Sequence, residues 1–528
     1  MSNIFQITKN PSVPRNRFDL SHDHKFTCDI GQLIPVLLLE TFPGDQWNIR
    51  AEVLTRTLAL LSPVMHLVEI DLHYYKVPIE ILYPDFNDII APPDPNDTPP
   101  VTPYFANVSD IDSGDVGDYL GLPIDSDAAI QNFQVVAYPV AAYAKIYDYW
   151  YRDQNLQAEV FEPLTGGQNN WAFNVANNPP LVRAWGHDYF TSCLPFAQKG
   201  DVVTLPVIES QQLDIQFKTG IGNTDPQQYL RDSTDDSIIT SPADLTTITT
   251  SGILADATNA TRLDMTGTHY VDINGAAQDI ITVRTAFKVQ EFLELDANAG
   301  TRYKEVVYAH FDVKSKDARL QEPEYIGGQK GHLRISEVLS TAETVEYNSN
   351  NVIGSPGDLS GHAIGVDSGK TISTYCRRHG YIMAIYSVRP KTAYQQGIHR
   401  LWTRTERLDY PWPKLAHIGE QPVYNYEIYA DQTDVPKMNE VFGYIPRYSE
   451  LKFQNSRVSG LMQDSTFSHW HMGRIFGSAP ALNSSFIECN SSEVSRVFKV
   501  TSEPQLLSHI IFNISVQRAF PMFSTPKL

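Results

Sequence analysis

Trp47-Asn48-Ile49-Arg50-Ala51-Glu52-Val53 carries an apolar side chain at every odd position and a polar one at every even position. Successive side chains of an extended strand point to opposite faces, so this stretch reads as a half-buried β-strand with Asn48, Arg50 and Glu52 turned to water. Val68, Ile70, Leu72 and Tyr74 alternate with Glu69, Asp71 and His73 in the same way, and Pro78 marks the exit. Joined by a turn that contains Pro63, the two strands read as one wall of a sandwich. Far along the chain, Ile510, Phe512, Ile514 and Val516 alternate with Ile511, Asn513, Ser515 and Gln517. Gly380 to Val388 is a nearly continuous apolar run, which suits a strand covered on both faces. The expected fold is therefore mainly β: one sandwich whose first and last strands share a core, interrupted by long excursions.

The excursions differ in character. From Pro84 to about Pro123 the alternation dissolves into Pro, Asp and Gly, which predicts a long loop ordered by packing. Pro139 opens a helix in which Val140, Tyr143, Tyr147, Trp150 and Tyr151 recur at three- and four-residue spacing, an aromatic stripe expected to pack on the sheet. Between Glu209 and Asp279 about eleven acids face only Lys218, Arg231 and Arg262, with strand-like fragments at Ser237–Thr240 and Leu245–Ile253. Residues 209–280 therefore read as an inserted surface module, leaving 1–208 and 281–528 as one discontinuous domain. Ala286, Val289, Phe292 and Leu293 mark a further helix ending near Gly300, and Tyr303, Val306, Val307 and His310 a short one after it. No fixed-period repeat is visible, which argues against a propeller or solenoid.

In 528 residues, 34 Pro, 30 Gly and 27 Tyr against 19% charged residues suit strands joined by irregular loops. Low charge also suits a subunit that hides surface against copies of itself. The formal net charge is −20, whereas a free-standing nucleic-acid binder is usually basic. If the chain encloses a genome, the neutralising charge comes from a local basic patch, a small basic protein or cations. Cys28, Cys193, Cys376 and Cys489 share no short spacing, so neither a zinc framework nor a disulfide scaffold is expected. With no signal-like N-terminus and no long apolar span, a soluble protein made in a cytoplasm is the expectation, without membrane insertion.

Motifs for chemistry are mostly absent. Gly365-Val-Asp-Ser-Gly369-Lys370-Thr371 resembles a phosphate-binding loop but has three residues between its glycines instead of four, and Thr371 begins a β-like segment. His22/His24 and His469/His471 sit two apart, where local polar contacts or a subunit seam are the expectation. Asp110, Asp112, Asp115 and Asp118 suggest a Ca²⁺ loop of the kind a subunit seam could hold, yet Gly114 and Gly121 stand where that pattern wants a ligand. Asp148, Tyr149, Trp150 and Asp153 are the nearest approach to a carbohydrate-processing site. No catalytic, metal or cofactor residues are expected. Candidate nucleic-acid contacts are Lys9, Arg15, Arg17 and Lys25, which are expected to precede the first strand in a slightly positive N-terminal arm, with Arg377-Arg378 and Arg400, Arg404, Arg407 as further basic groups.

Several blocks carry a family resemblance in collinear order. They are Arg15 to Lys25 (RNRFDLSHDHK), Tyr143 to Leu156 (YAKIYDYWYRDQNL), Asp188 to Pro195, Gln198-Lys-Gly200, Asp296 to Tyr303 and Asp317 to Tyr325, then Gly380-Tyr-Ile-Met, Gly419 to Val423 and Val441 to Tyr448. Together they resemble the major capsid proteins of microviruses, the F-protein family, and within it the gokushovirus branch. Cys193 and Pro422 depart from the family's usual Ala, and the segment after Phe476 is less similar. The resemblance implies an eight-stranded antiparallel viral jelly roll with large loop insertions and a few helices. It implies a non-enzymatic subunit of a T=1 icosahedral virion, assembled in a bacterial host cytoplasm around circular single-stranded DNA. It also implies as partners a small basic DNA-binding protein, an internal scaffolding protein, a pilot protein and a host receptor, with residues 209–280 forming a threefold protrusion. The competing expectations are a phage receptor-binding spike and a lectin-like or carbohydrate-active β-sandwich enzyme.

Overall fold

The computed structural model describes residues 14–92, 98–106, 108–124, 133–201, 203, 230–232, 246–247, 254–255, 261–263, 280–314, 322–339, 345–346, 352–353, 359–430 and 433–523. The chain divides into two compact units, Met1–Lys199 with Glu294–Leu528, and Gly200–Leu293.

The larger unit is a jelly roll. Its strands are β1 (Asn16–Asp19), β2 (His22–Cys28), β3 (Ile34–Thr41), β4 (Gln46–Thr57), β5 (Val68–Pro78), β6 (Glu324–Leu339), β7 (Leu359–Ser368), β8 (Ile372–Tyr375), β9 (Gly380–Pro390) and β10 (Leu506–Arg518). In one face β10 lies between β1/β2 and β4, and β4 continues to β7 and β8, all antiparallel. In the other, β3 pairs β9, β9 pairs β5, and β5 pairs the first part of β6. The second part of β6 pairs β7, so this one long strand joins the two faces into a single curled sheet. Counting β1/β2 and β7/β8 as one position each gives the eight positions of the jelly roll.

Register confirms that the ends of the chain share a core. Ile514 is the direct cross-strand partner of Ile49. Trp47, Ile49, Ala51, Val53, Ile510, Phe512, Ile514 and Val516 all point inward and are essentially inaccessible. They meet Val68, Ile70, Leu72 and Tyr74 from β5 and Ile382, Ala384, Tyr386 and Val388 from β9. One polar bridge crosses this core: Thr55 Oγ1 lies 2.6 Å from the Tyr386 hydroxyl, and Ser508 Oγ donates to the same oxygen at 3.1 Å. That satisfies a buried phenol that would otherwise be costly.

The expectation that the Trp47 and Val68 strands form one wall is corrected. β4 pairs β10, β7 and β8, while β5 pairs β6 and β9, so the two strands lie in opposite faces of the sandwich. Residues 58–67 between them are too many for a tight hairpin, and they carry the chain across the end of the core. Alternation fixes which side of a strand is buried, but both walls bury theirs against the same core.

β9 is covered on both sides, as its composition implies. Ile382, Ala384, Tyr386 and Val388 face the sandwich interior, while Met383 and Ile385 belong to a second cluster. That cluster is roofed by α1 (Tyr138–Ile146), with Pro139 in its first turn, and α2 (Asn170–Ala176). Tyr143 of α1 donates its hydroxyl to the Leu33 carbonyl at 2.9 Å. After Ile146 the helix widens into a π-helical turn, Tyr147–Tyr151. The 84–123 segment is held by Phe105, Val108, Ile111 and Val116, which are buried in the same cluster. Pro35 is tolerated because β3 is an edge strand with a register shift beside it.

Residues 391–505, between β9 and β10, build with Tyr189, Phe190 and Cys193 a third core that the sequence reading did not anticipate. Phe190, Tyr394, Val423, Phe442 and Phe486 are buried there, beneath a ribbon of Glu420–Tyr424 and Val441–Pro446. Helix α3 spans Ile280–Ala299, ending at Gly300 with φ +91°, and α4 spans Tyr303–Phe311. In the smaller unit, Leu230–Asp232 pairs Thr261–Leu263 and Thr246–Thr247 pairs Leu254–Ala255, a nested antiparallel arrangement. The Ser237–Thr240 fragment lies outside the described residues.

Candidate assembly and nucleic-acid interface

The candidate basic residues separate once folded. Lys9 lies outside the described residues. Arg15 Nη1 donates to the Gly44 carbonyl at 2.7 Å, bracing the turn between β3 and β4. The expectation that Arg17 and Lys25 precede the first strand is corrected: they are within β1 and β2, on the solvent side of the face that holds β10. The odd-numbered apolar residues of β4 are buried, so its even-numbered residues share that solvent side, which adds Arg50 and Arg56. Arg334, in register with Ile364 of β7, extends the row across β6. These last three escaped the sequence reading because it ranked basic residues by clustering along the chain; the alternation of Trp47–Val53 already pointed Arg50 outward.

Acids temper this surface. Lys25 and His509 both contact Asp23, and the Lys25 hydrogen bond chiefly holds that carboxyl below its usual range. Arg50 reaches Glu52 at 3.4 Å and Ser368 Oγ at 2.9 Å, while Arg17 donates to Ser515 Oγ at 3.0 Å. Exposed Leu507, Ile511 and Val366 alternate with the charges, giving a mixed apolar and cationic face. Exposed ion pairs of this kind contribute little to stability.

A second surface is frankly apolar. The loop from Ile398 to Ile418 exposes Leu401, Trp402, Leu408, Tyr410 and Trp412, with Trp402 78% exposed. The base of this loop is anchored. Arg400 reaches buried Glu427 at 3.2 Å and Arg404 reaches buried Glu450 at 3.2 Å, and Gln421 donates to the other Glu450 oxygen at 2.7 Å. Burial pushes the Glu427 carboxyl up, with Arg400 opposing the shift. Arg400 and Arg404 thus serve the third core, and Arg378 pairs Glu80. Large aromatic residues held outward by a rigid base are characteristic of protein interfaces.

The remaining candidates are occupied by structure. Asp148 accepts from the Val160 and Phe161 amides and lies 3.4 Å from Arg152, while Asp153 accepts from the Asn155 and Leu156 amides, so neither carboxylate of the carbohydrate-site candidate is disengaged. Gly365 lies within strand β7, not in a loop before a helix. Asp115 and Asp118 accept from the amides of Asp112 and Gly114. His24 bonds the Val36 carbonyl and His471 the Met462 carbonyl. Among the described residues no group of three metal-ligating side chains converges, and no helix is long and apolar enough to cross a membrane. All four cysteines are buried and unpaired.

A family model described as capsid protein (F protein) matches residues 7–528. The chain is 30% identical to the capsid protein VP1 of Chlamydia phage 1, over 100% of this chain and 98% of that protein. It is 31% identical to the capsid protein VP1 of Bdellovibrio phage phiMH2K, over 99% and 98%, and 28% identical to that of Spiroplasma virus 4, over 99% and 97%. With a match that spans both ends of the jelly roll and every excursion between them, the chain belongs to the F-protein family of phage capsid proteins, structural subunits and not enzymes.

Proposed function

We propose that this chain forms a T=1 icosahedral shell around a circular single-stranded DNA genome. The observation that carries the proposal is the full-length match to phage capsid proteins over a jelly roll whose outlying loops expose aromatic residues. Repeated weak contacts around closed symmetry axes give a stable particle from modest interfaces. In this reading the Ile398–Ile418 loop meets a second copy of the chain, and the rigid sandwich sets the angle between copies. The face bearing Arg17, Lys25, Arg50, Arg56 and Arg334 supplies the local positive charge that a chain of net charge −20 otherwise lacks.

The same reading assigns the rest of the neutralisation to a small basic protein, and assembly to an internal scaffolding protein with a pilot protein accompanying the genome. Residues 209–280 would form the protrusion that meets the host. Native particles treated with nuclease and then opened test the genome assignment. Protected DNA that is circular and sensitive to a single-strand-specific nuclease is expected; duplex DNA or empty particles would reject it.

A further inference from the structure

We propose that a cleft on the outer face of β5, β6 and β9 binds one nucleotide of single-stranded DNA, with the base stacked on Trp150 and the phosphate held by Arg389. The proposal rests on the genome reading above and deepens it to a site. The cleft has a volume of about 360 Å³ and is lined by His73, Tyr75, Trp150, Tyr151, Arg183, Trp185, Tyr325 and Arg389, among others.

Two local irregularities deliver its rings. The π-helical turn Tyr147–Tyr151 brings Trp150 and Tyr151, and a bulge at Ile326 falls directly after Tyr325, which stays in register with Tyr75. Such turns and bulges recur where a chain re-aims side chains toward a ligand. Trp150 and Tyr325 form the mouth, 42% and 43% exposed, with ring centroids 5.8 Å apart. Both also pack on buried Tyr75, at 5.7 and 5.6 Å. Trp150 Nε1 donates to the Pro323 carbonyl at 3.0 Å, which fixes the ring of a residue that remains 42% exposed.

The polar groups of the cleft are mostly donors. Arg183 is committed to Asp71 at 2.7 Å and to Ser387 Oγ at 2.6 Å, stacked 5.6 Å over the Tyr151 ring. Arg389 donates to the Ala184 carbonyl at 3.2 Å, but its nearest acid, Glu69, is 3.9 Å away and is claimed by Lys330 at 2.8 Å. Asp71 and Glu69 offset its charge from beyond hydrogen-bond distance, while burial and the neighbouring Arg183 guanidinium work against it. Trp185 Nε1 is buried without a hydrogen-bond partner. Burial, reinforced by Arg183, pushes His73 down to about 4, so the imidazole is neutral near pH 7. Flat π walls with donors at the base suit a planar ring bearing an anionic group. A sugar would also need acceptors for its hydroxyls, and Asp71 is already engaged.

The test titrates the purified full-length chain with thymidine 5′-monophosphate, thymidine, inorganic phosphate and glucose, reading tryptophan fluorescence. Saturable quenching by the nucleotide is expected, with thymidine binding more weakly. Trp150→Leu weakens nucleotide binding about ten-fold, and Trp150→Phe retains most of it. Arg389→Gln removes the preference for nucleotide over thymidine while sparing thymidine itself. Melting temperatures of the variants show whether each is folded. Equal binding of nucleotide and nucleoside, indifference to both variants, or tighter binding of glucose would overturn the site. Particles that still protect single-stranded DNA while the chain ignores the nucleotide would sink the cleft alone; particles without such DNA would sink the packaging reading.

Discussion

Single residues show where burial and charge are decisive. Trp47 is fully buried in the sandwich, so Trp47→Ala should cost about 3–5 kcal/mol, measured by denaturant unfolding. The Asp71–Arg183 pair is buried on the outer side of β5, and removing one partner strands the other. Asp71→Ala should cost about 3–5 kcal/mol by the same measurement, whereas a loss below about 1 kcal/mol would show that Arg183 finds another partner. His73 has a folded-state pKa of about 4, below the ordinary value of 6.5. Its contribution to stability is complete above about pH 6.5 and is lost as pH falls toward 4, because the unfolded chain takes up the proton first. The melting temperature of His73→Gln should therefore fall less between pH 7 and pH 4.5 than that of the unaltered chain; an equal fall would place the acid sensitivity elsewhere. Apolar roles at this scale were legible, since Ile49 and Ile514 behave as their alternation implies and Met383 as a run covered on both faces implies. The basic residues were not: Arg15 braces a turn and Arg400 a buried acid, and neither partner is a sequence neighbour.

Among the elements, β10 is central. It lies between β1/β2 and β4, so every hydrogen bond across that part of the sheet passes through it. A chain ending at residue 505 should lose the protease-resistant core entirely; a resistant fragment containing Trp47 would show that β4 holds its place without it. The short connection at Gly31 is similarly constrained, with φ +90° and a Cβ there meeting the Cys489 carbonyl. Gly31→Ala should lower the melting temperature, and retention of the parent value would mean that the turn relaxes freely. Strand positions at both ends of the chain could be read because their period is two. Wall assignment could not, because inward-facing residues look alike in either face. The π turn, the bulge at Ile326 and the third core also escaped, the last two because they depend on contacts far apart in sequence. At the cleft, an aromatic helix was visible, but the arginines that accompany it come from β9 and from the Arg183 segment.

For the whole molecule, the larger unit forms a jelly roll from segments on both sides of Gly200–Leu293. Deleting residues 212–277 is expected to leave particles that form normally but adsorb poorly to the host, as plaque and particle counts would show. Failure to form any particle would instead make that segment part of the shell. Blocks such as Arg15–Lys25, Gly380–Met383 and Val441–Tyr448, which fall largely on strands, reached the family from sequence, whereas the surfaces that meet other copies carry no pattern of their own. The most direct measurement is electron cryomicroscopy of particles made by this chain. The account predicts closed icosahedral shells of uniform diameter, one chain per asymmetric unit, with Trp402 covered by a neighbouring copy. Separate monomers or open trimers, or shells in which Trp402 stays bare, would contradict it.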